Sequence, residues 1–248
     1  MIKFFRKIRQ NLLMENKTGK YFKYAFGEIV LVVIGILIAL SINNWNENRK
    51  EQNQLQIYYK QIISDLDEQK IYSNSGITQL DSNIASYVQY KNLFETKNLA
   101  TDDVIDALNK VKFASIYLSF RFNTMETLQS TGDIKIIPEN IRNKLITHKS
   151  KIDEWTIINN GNLNIYLNGL LKYTEKGIGS FSSRLQEQPD LKKAIKNDIK
   201  PIEAILAAES AFGVKYFTER QTRQFLKEIL EEIETMKKLI NSELKNKK

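Results

Sequence analysis

The chain has 248 residues, with 37 Lys and Arg against 29 Asp and Glu, one His and no Cys. Without cysteine it can form neither a disulfide framework nor a thiolate metal site. The net charge of +8 is not a nucleic-acid signature, because most of the excess is confined to residues 1 to 23.

That leading arm holds Lys3, Arg6, Lys7, Arg9, Lys17, Lys20 and Lys23 against Glu15 alone, whereas the residues after position 42 are nearly balanced. The start, MIKFFRKIRQNLL, places Ile2, Phe5, Ile8, Leu12 and Leu13 on one helical face. Lys3, Arg6, Lys7 and Arg9 fall opposite or beside it. The pattern fits a helix lying on anionic lipid headgroups of the inner leaflet, each cation adding ~1 kcal/mol, and fits a plain topogenic signal equally well. Asn16 to Lys20 reads as a turn, with Gly19 available for left-handed dihedrals.

Residues 25 to 44 are expected to cross a membrane. Ile29 to Leu40 is an unbroken run of Ile, Val, Leu, Gly and Ala, and twelve Leu, Ile, Val or Phe lie between Phe26 and Ile42. At roughly −0.3 to −0.6 kcal/mol each, they favour insertion by about 4 to 7 kcal/mol. Glu28 opposes this, but it lies near one end of the span, at headgroup level or in contact with another membrane subunit. A buried core helix and a cleaved signal peptide are the competing readings; Ala39-Leu40-Ser41 offers small residues at a peptidase spacing. Tyr21, Phe22, Tyr24 and Phe26 on one side and Trp45 on the other form aromatic belts, which favours an uncleaved signal anchor. The basic arm then places the N-terminus in the cytoplasm. Gly35-x-x-x-Ala39 offers a small-x-x-x-small face for helix packing.

The segment KTGKYFKYAFGEIVLVVIGILIALSINNWNE, with FFRKIRQNLL before it, resembles the N-terminal signature of an uncharacterised family of bacterial single-pass membrane proteins of unknown function. METLQSTGDIKII resembles the family's short helix ending in Ser/Thr-x-Gly more loosely. The resemblance implies an inner-membrane protein with a periplasmic helical domain and carries no functional residues.

Past the span, three Pro and ten Gly in the whole chain leave room for long helices. Leu55, Tyr59, Ile62 and Leu66, then Ile77, Leu80, Ile84, Tyr87 and Phe94, predict a helix from about Asn43 to Phe94, or two helices hinged at Ser75-Gly76. Thr101 reads as an N-cap for a helix to about Val111. Ile116 to Phe122 reads as buried helix or connector, and Met125 to Ser130 as a turn of helix closed by Gly132. Pro138 opens a long helix that Gly161 and Gly169 can bend and Gly177 and Gly179 stop, and Gly177 to Pro189 reads as a mobile loop. Leu191 to Ile199 and Ile202 to Phe212 are expected as short helices. A last helix, capped by Thr218-x-x-Gln221, carries the coiled-coil-like stripe Leu226, Ile229, Ile233, Met236, Ile240 and Leu244, and Glu234 stands four residues before Lys238.

The expected fold is all-α: a cytoplasmic arm over 1–24, a transmembrane signal-anchor helix over 25–44 and a long-helix bundle ectodomain over 45–248. No hydrolase, nucleotide-binding or metalloprotease motif occurs. His148 reads as a surface or partly buried packing residue. The acidic groups Asp65-x-Asp67-Glu68 and Glu231-Glu232-x-Glu234 read as solvated faces, with no metal and no other cofactor expected. These features point to a non-catalytic interaction or scaffold protein, with a protein partner or a second copy alongside the lipid bilayer and no nucleic acid. The alternative is a periplasmic sensor that binds a small molecule beside Tyr117, Phe120, Phe122 and Trp155 and signals through a separate membrane partner.

Overall fold

The computed structural model describes residues 14, 18–176, 184, 187–198 and 200–245. The cations Lys3, Arg6, Lys7 and Arg9 and most of the Gly177 to Pro189 segment lie outside them. Every element among the described residues is helical. The chain divides into two compact units, Met1–Ile57 and Tyr58–Lys248.

The first long element, α1 (Thr18–Leu93), is one helix of 76 residues. Gly19 is helical and not a turn. No proline interrupts the chain here, and the ~1 kcal/mol cost of one glycine is small against a long cooperative helix. Nor is there a hinge at Ser75-Gly76. The polar stretch from Lys70 continues the helix because Gln69, Ser73 and Gly76 face inward, and a Cβ at Gly76 would stand 3.0 Å from Leu226 Cδ1. The expected inward series is buried at Leu55, Tyr59, Ile62, Leu66, Leu80 and Tyr87, while Phe94 is exposed.

Within the second unit α2 (Thr101–Leu108) follows. Ala100, not Thr101, is its cap residue and makes no side-chain cap bond. Ile116 to Phe122 is connector and not helix, part of a leg over residues 112–122 that runs back along α1: Lys112 Nζ donates to Ser82 Oγ at 2.6 Å, and the Thr124 amide donates to Asp65 Oδ2 at 2.8 Å. The short α3 (Asn123–Thr131) ends on Gly132 at φ 78°, the left-handed stop its sequence predicts. After a 3₁₀ turn (Asp133–Ile136), Pro138 caps α4 (Glu139–Glu175), which continues through Gly161 and Gly169.

After α5 (Pro189–Asp198) comes α6 (Pro201–Lys245), a single helix of 45 residues. The capping box at Thr218 is therefore not a helix start. Ala204, Ala208, Ala211 and Phe212 are buried on the same face that Leu226, Ile229 and Ile233 continue, so packing carries the helix through Gly213 and Thr218. Salt bridges set the directions. Lys70 to Glu234 (2.6 Å) and Asp81 to Arg223 make α6 antiparallel to α1; Lys151 to Glu232 (2.6 Å) and Lys176 to Glu203 (2.7 Å) make it antiparallel to α4. Glu234 thus bridges to Lys70 across helices, with Lys238 acting on it as a further, weaker cation.

Candidate functional site

The apolar segment of α1 is the first candidate. An 18-residue window of this helix has the length and composition to cross a membrane, and none of it is buried. Residues packed in a core would be covered; these present a bare hydrocarbon surface. Glu28 is partly exposed on it, and a Cβ at Gly35 would meet nothing within 4 Å, so Gly35 and Ala39 face open space. Trp45 is exposed and carries the Arg49 guanidinium 5.7 Å from its ring centroid. An indole with a cation one turn on is an apt pair for a membrane–water interface.

The second candidate is a polar junction around His148. This histidine is buried, only 3% exposed, against the expectation of a surface or partly buried residue. Gln69 Nε2 donates to the Arg121 carbonyl at 2.9 Å, which turns Gln69 Oε1 toward His148 Nε2 at 3.0 Å. Gln69 Oε1 only accepts, so this contact is a hydrogen bond in the form of the ring that carries a proton on Nε2. The other ring nitrogen lies 3.2 Å from Glu232 Oε2, whose second oxygen accepts from Lys151 Nζ at 2.6 Å. Burial pulls the imidazole below its ordinary pKa against the pull of Glu232. Burial also pushes the Glu232 carboxyl up, but Lys151 and His148 outweigh it and hold it below the usual range. A groove of about 580 Å³ between α4 and α6 opens onto this junction, lined by Lys144, His148, Lys151, Glu228, Glu231 and Glu232 among others.

The third is a buried ion pair. Lys215 and Glu219, one turn apart on α6, are each 2% exposed and 2.9 Å apart. Glu219 Oε1 also accepts from Asn83 and from Ser115, both at 2.7 Å. The ammonium lies 5.9 Å from the Tyr166 ring centroid. Burial drives the Lys215 pKa down, with Glu219 opposing. Asn83 donates as well to the Ala114 carbonyl at 2.8 Å, so the pair ties α1 and the extended leg to α6.

The acidic runs are not wholly solvated. Asp65 caps the Thr124 amide, Asp67 pairs with Lys237, and Glu232 and Glu234 are bridged as described, leaving Glu68 and Glu231 exposed. No group of three His, Asp or Glu among the described residues is placed to hold a metal ion. The aromatic set that could line a ligand pocket is dispersed: Phe120 packs edge-on to Tyr72, Phe122 beside His148, Trp155 stacks on Phe225, and Tyr117 is exposed. Sequence reading misses Lys215, Glu219, Asn83 and Gln69. The available signal was their i, i+4 or i, i+7 position on an otherwise apolar stripe.

Among the described residues the protein is thus helical, without strands, and has one helix long and apolar enough to cross a membrane, near its N-terminus. Residues 28–198 match the family of unknown function DUF6090, and the chain belongs to that family. No curated protein and no solved structure matches it.

Proposed function

We propose that this is a single-pass protein of the cell inner membrane, with residues 1–24 in the cytoplasm, 25–44 as the span and 45–248 as a periplasmic helical-bundle ectodomain. It serves as an interaction scaffold and not as a catalyst. The observation that carries this is the bare apolar window of α1, of which nothing is buried. The basic arm supports the orientation. The scaffold role draws support from the way the ectodomain's charges are used: the buried Lys215 with Glu219 and the half-exposed Lys151 with Glu232 spend their charge on each other and on joining helices.

Two measurements test the topology. After an alkaline carbonate wash the full-length chain should stay in the membrane pellet, and a reporter fused after Lys248 should be active only outside the cytoplasm. Release into the supernatant, or a cytoplasmic reporter signal, overturns it. A small-ligand sensor is the second reading, favoured by the α4–α6 groove with its mixed cations and carboxylates. A thermal-shift screen that yields a stabilising metabolite, lost on Lys151→Met, would move the assignment there.

A further inference from the structure

The outward face of α4 differs from the rest of the surface. Residues 155–171 contain no Asp, Glu, Lys or Arg, in a chain where 27% of residues are charged. Ile157 is 74% exposed, Ile165 and Leu171 each 59%, and Ile158 and Leu167 are exposed beside them. Such apolar side chains on a soluble surface are ordinary when scattered and significant when aligned.

Here they are aligned. Ile157, Gly161, Asn164, Asn168 and Leu171 recur at steps of four and three, which draws a straight seam down one side of a helix. Ile158 and Ile165 flank the seam on one side and Leu167 on the other. Gly161 is open, since a Cβ there would meet nothing within 4 Å. We infer that this seam is where two copies of the chain pair, their α4 helices parallel and in register about a two-fold axis.

Three features select a second copy over an unlike partner. A charged partner would lose hydration against a face with no counter-charge, whereas an identical neutral face brings no charge to desolvate. Asn168 makes no side-chain hydrogen bond to any of the described residues and stands at the seam position where a single asparagine sets register in two-stranded pairs. Its amide offers both donor and acceptor to its own copy across the axis. The area is also apt: the five apolar residues expose roughly 500 Å² per copy, about 1,000 Å² for a pair, at the low end of specific interfaces. A face of that size holds weakly in dilute solution and gains from confinement of both copies to one membrane. In that respect the inference rests on the membrane-anchored reading above.

The chain has no cysteine, so single cysteines report without background. The full-length protein in its membranes would carry Asn168→Cys or Gly161→Cys on the seam, or Gln79→Cys on exposed α1 as control, and be oxidised mildly. Seam cysteines should give a covalent dimer at twice the chain mass, in several-fold excess over the control. Adding Leu171→Glu to Asn168→Cys should remove that excess with the melting temperature unchanged, because Leu171 is exposed. The proposal fails if seam and control cysteines crosslink alike or the product has another mass. It fails equally if Asn168→Cys is shielded from a thiol reagent in the monomer, which would place the chain's own segment on the face. The carbonate wash on the same sample separates the two readings. A pelleted chain without crosslinks sinks the seam alone, and a released chain that crosslinks sinks the anchor alone.

Discussion

Buried charge is the sharpest residue-scale feature of this protein. Burial works against the Lys215 ammonium, and Glu219 opposes that, with Asn83 and Ser115 donating to the same carboxylate oxygen. Lys215→Met leaves a carboxylate buried without its cation and should cost about 3 to 5 kcal/mol in urea unfolding, and adding Glu219→Gln should recover a large part of that. A single-mutant cost below about 1 kcal/mol would show the pair to be solvated. His148 behaves differently, because burial sets its folded pKa below that of the unfolded chain. The unfolded state then binds more protons, so stability is complete above about pH 6.5 and falls as pH drops through that value toward the folded pKa. His148→Gln should flatten this slope. As the only histidine, His148 gives an unambiguous imidazole resonance, and Lys151→Met should move its midpoint upward by removing a neighbouring cation. A midpoint that stays put or falls would contradict the assignment.

At the scale of elements, the extended leg is held by side chains and not by a neighbouring strand. Asn159 donates to the Ile116 carbonyl at 3.1 Å, Asn160 brackets Leu118 through both amide and carbonyl, and Tyr166 donates to the Phe113 carbonyl at 2.7 Å. Asn160→Ala removes two of these bonds and should destabilise by about 1 to 3 kcal/mol, read as a lower urea midpoint. Two glycines of α4 should answer oppositely to alanine. At Gly169 the new Cβ would lie 2.8 Å from Ala211 Cβ and 3.3 Å from its Cα, so the helices must part at about 1 to 3 kcal/mol. At Gly161 the space is open and the helix should gain about 0.5 to 1 kcal/mol. The same contrast explains what the sequence discloses. Leu226, Ile229, Ile233 and Ile240 were legible because an apolar stripe is a local pattern. The leg at 112–122, the burial of His148 and the passage of α6 through Thr218 were not. Each is decided by residues more than 40 positions away, such as Asn159 for Ile116, Gln69 for His148 and Asn159 for Thr222. A capping box or a lone histidine reads the same locally whether or not another helix covers it.

For the whole molecule the governing quantity is the balance at the apolar segment of α1. Its twelve large aliphatic and aromatic side chains favour insertion by about 4 to 7 kcal/mol, and one central arginine costs about 2.5 to 3.5. One such substitution should therefore be tolerated and two should not. Ile34→Arg alone should leave most of the chain in the carbonate-washed pellet. Ile34→Arg with Leu37→Arg, about 5 to 7 kcal/mol together, should cancel the whole gain and send the chain to the supernatant or to degradation. Both positions are exposed in the helix, so neither substitution disturbs packing within the Tyr58–Lys248 unit. Circular dichroism of the released double variant should retain its helical signal. Had the segment been a core helix, a single arginine would already unfold the protein, because an unpaired buried charge has no compensation there. A stepwise loss of membrane association with the fold preserved marks a lipid-facing span; loss of the fold at the first arginine would mark a core.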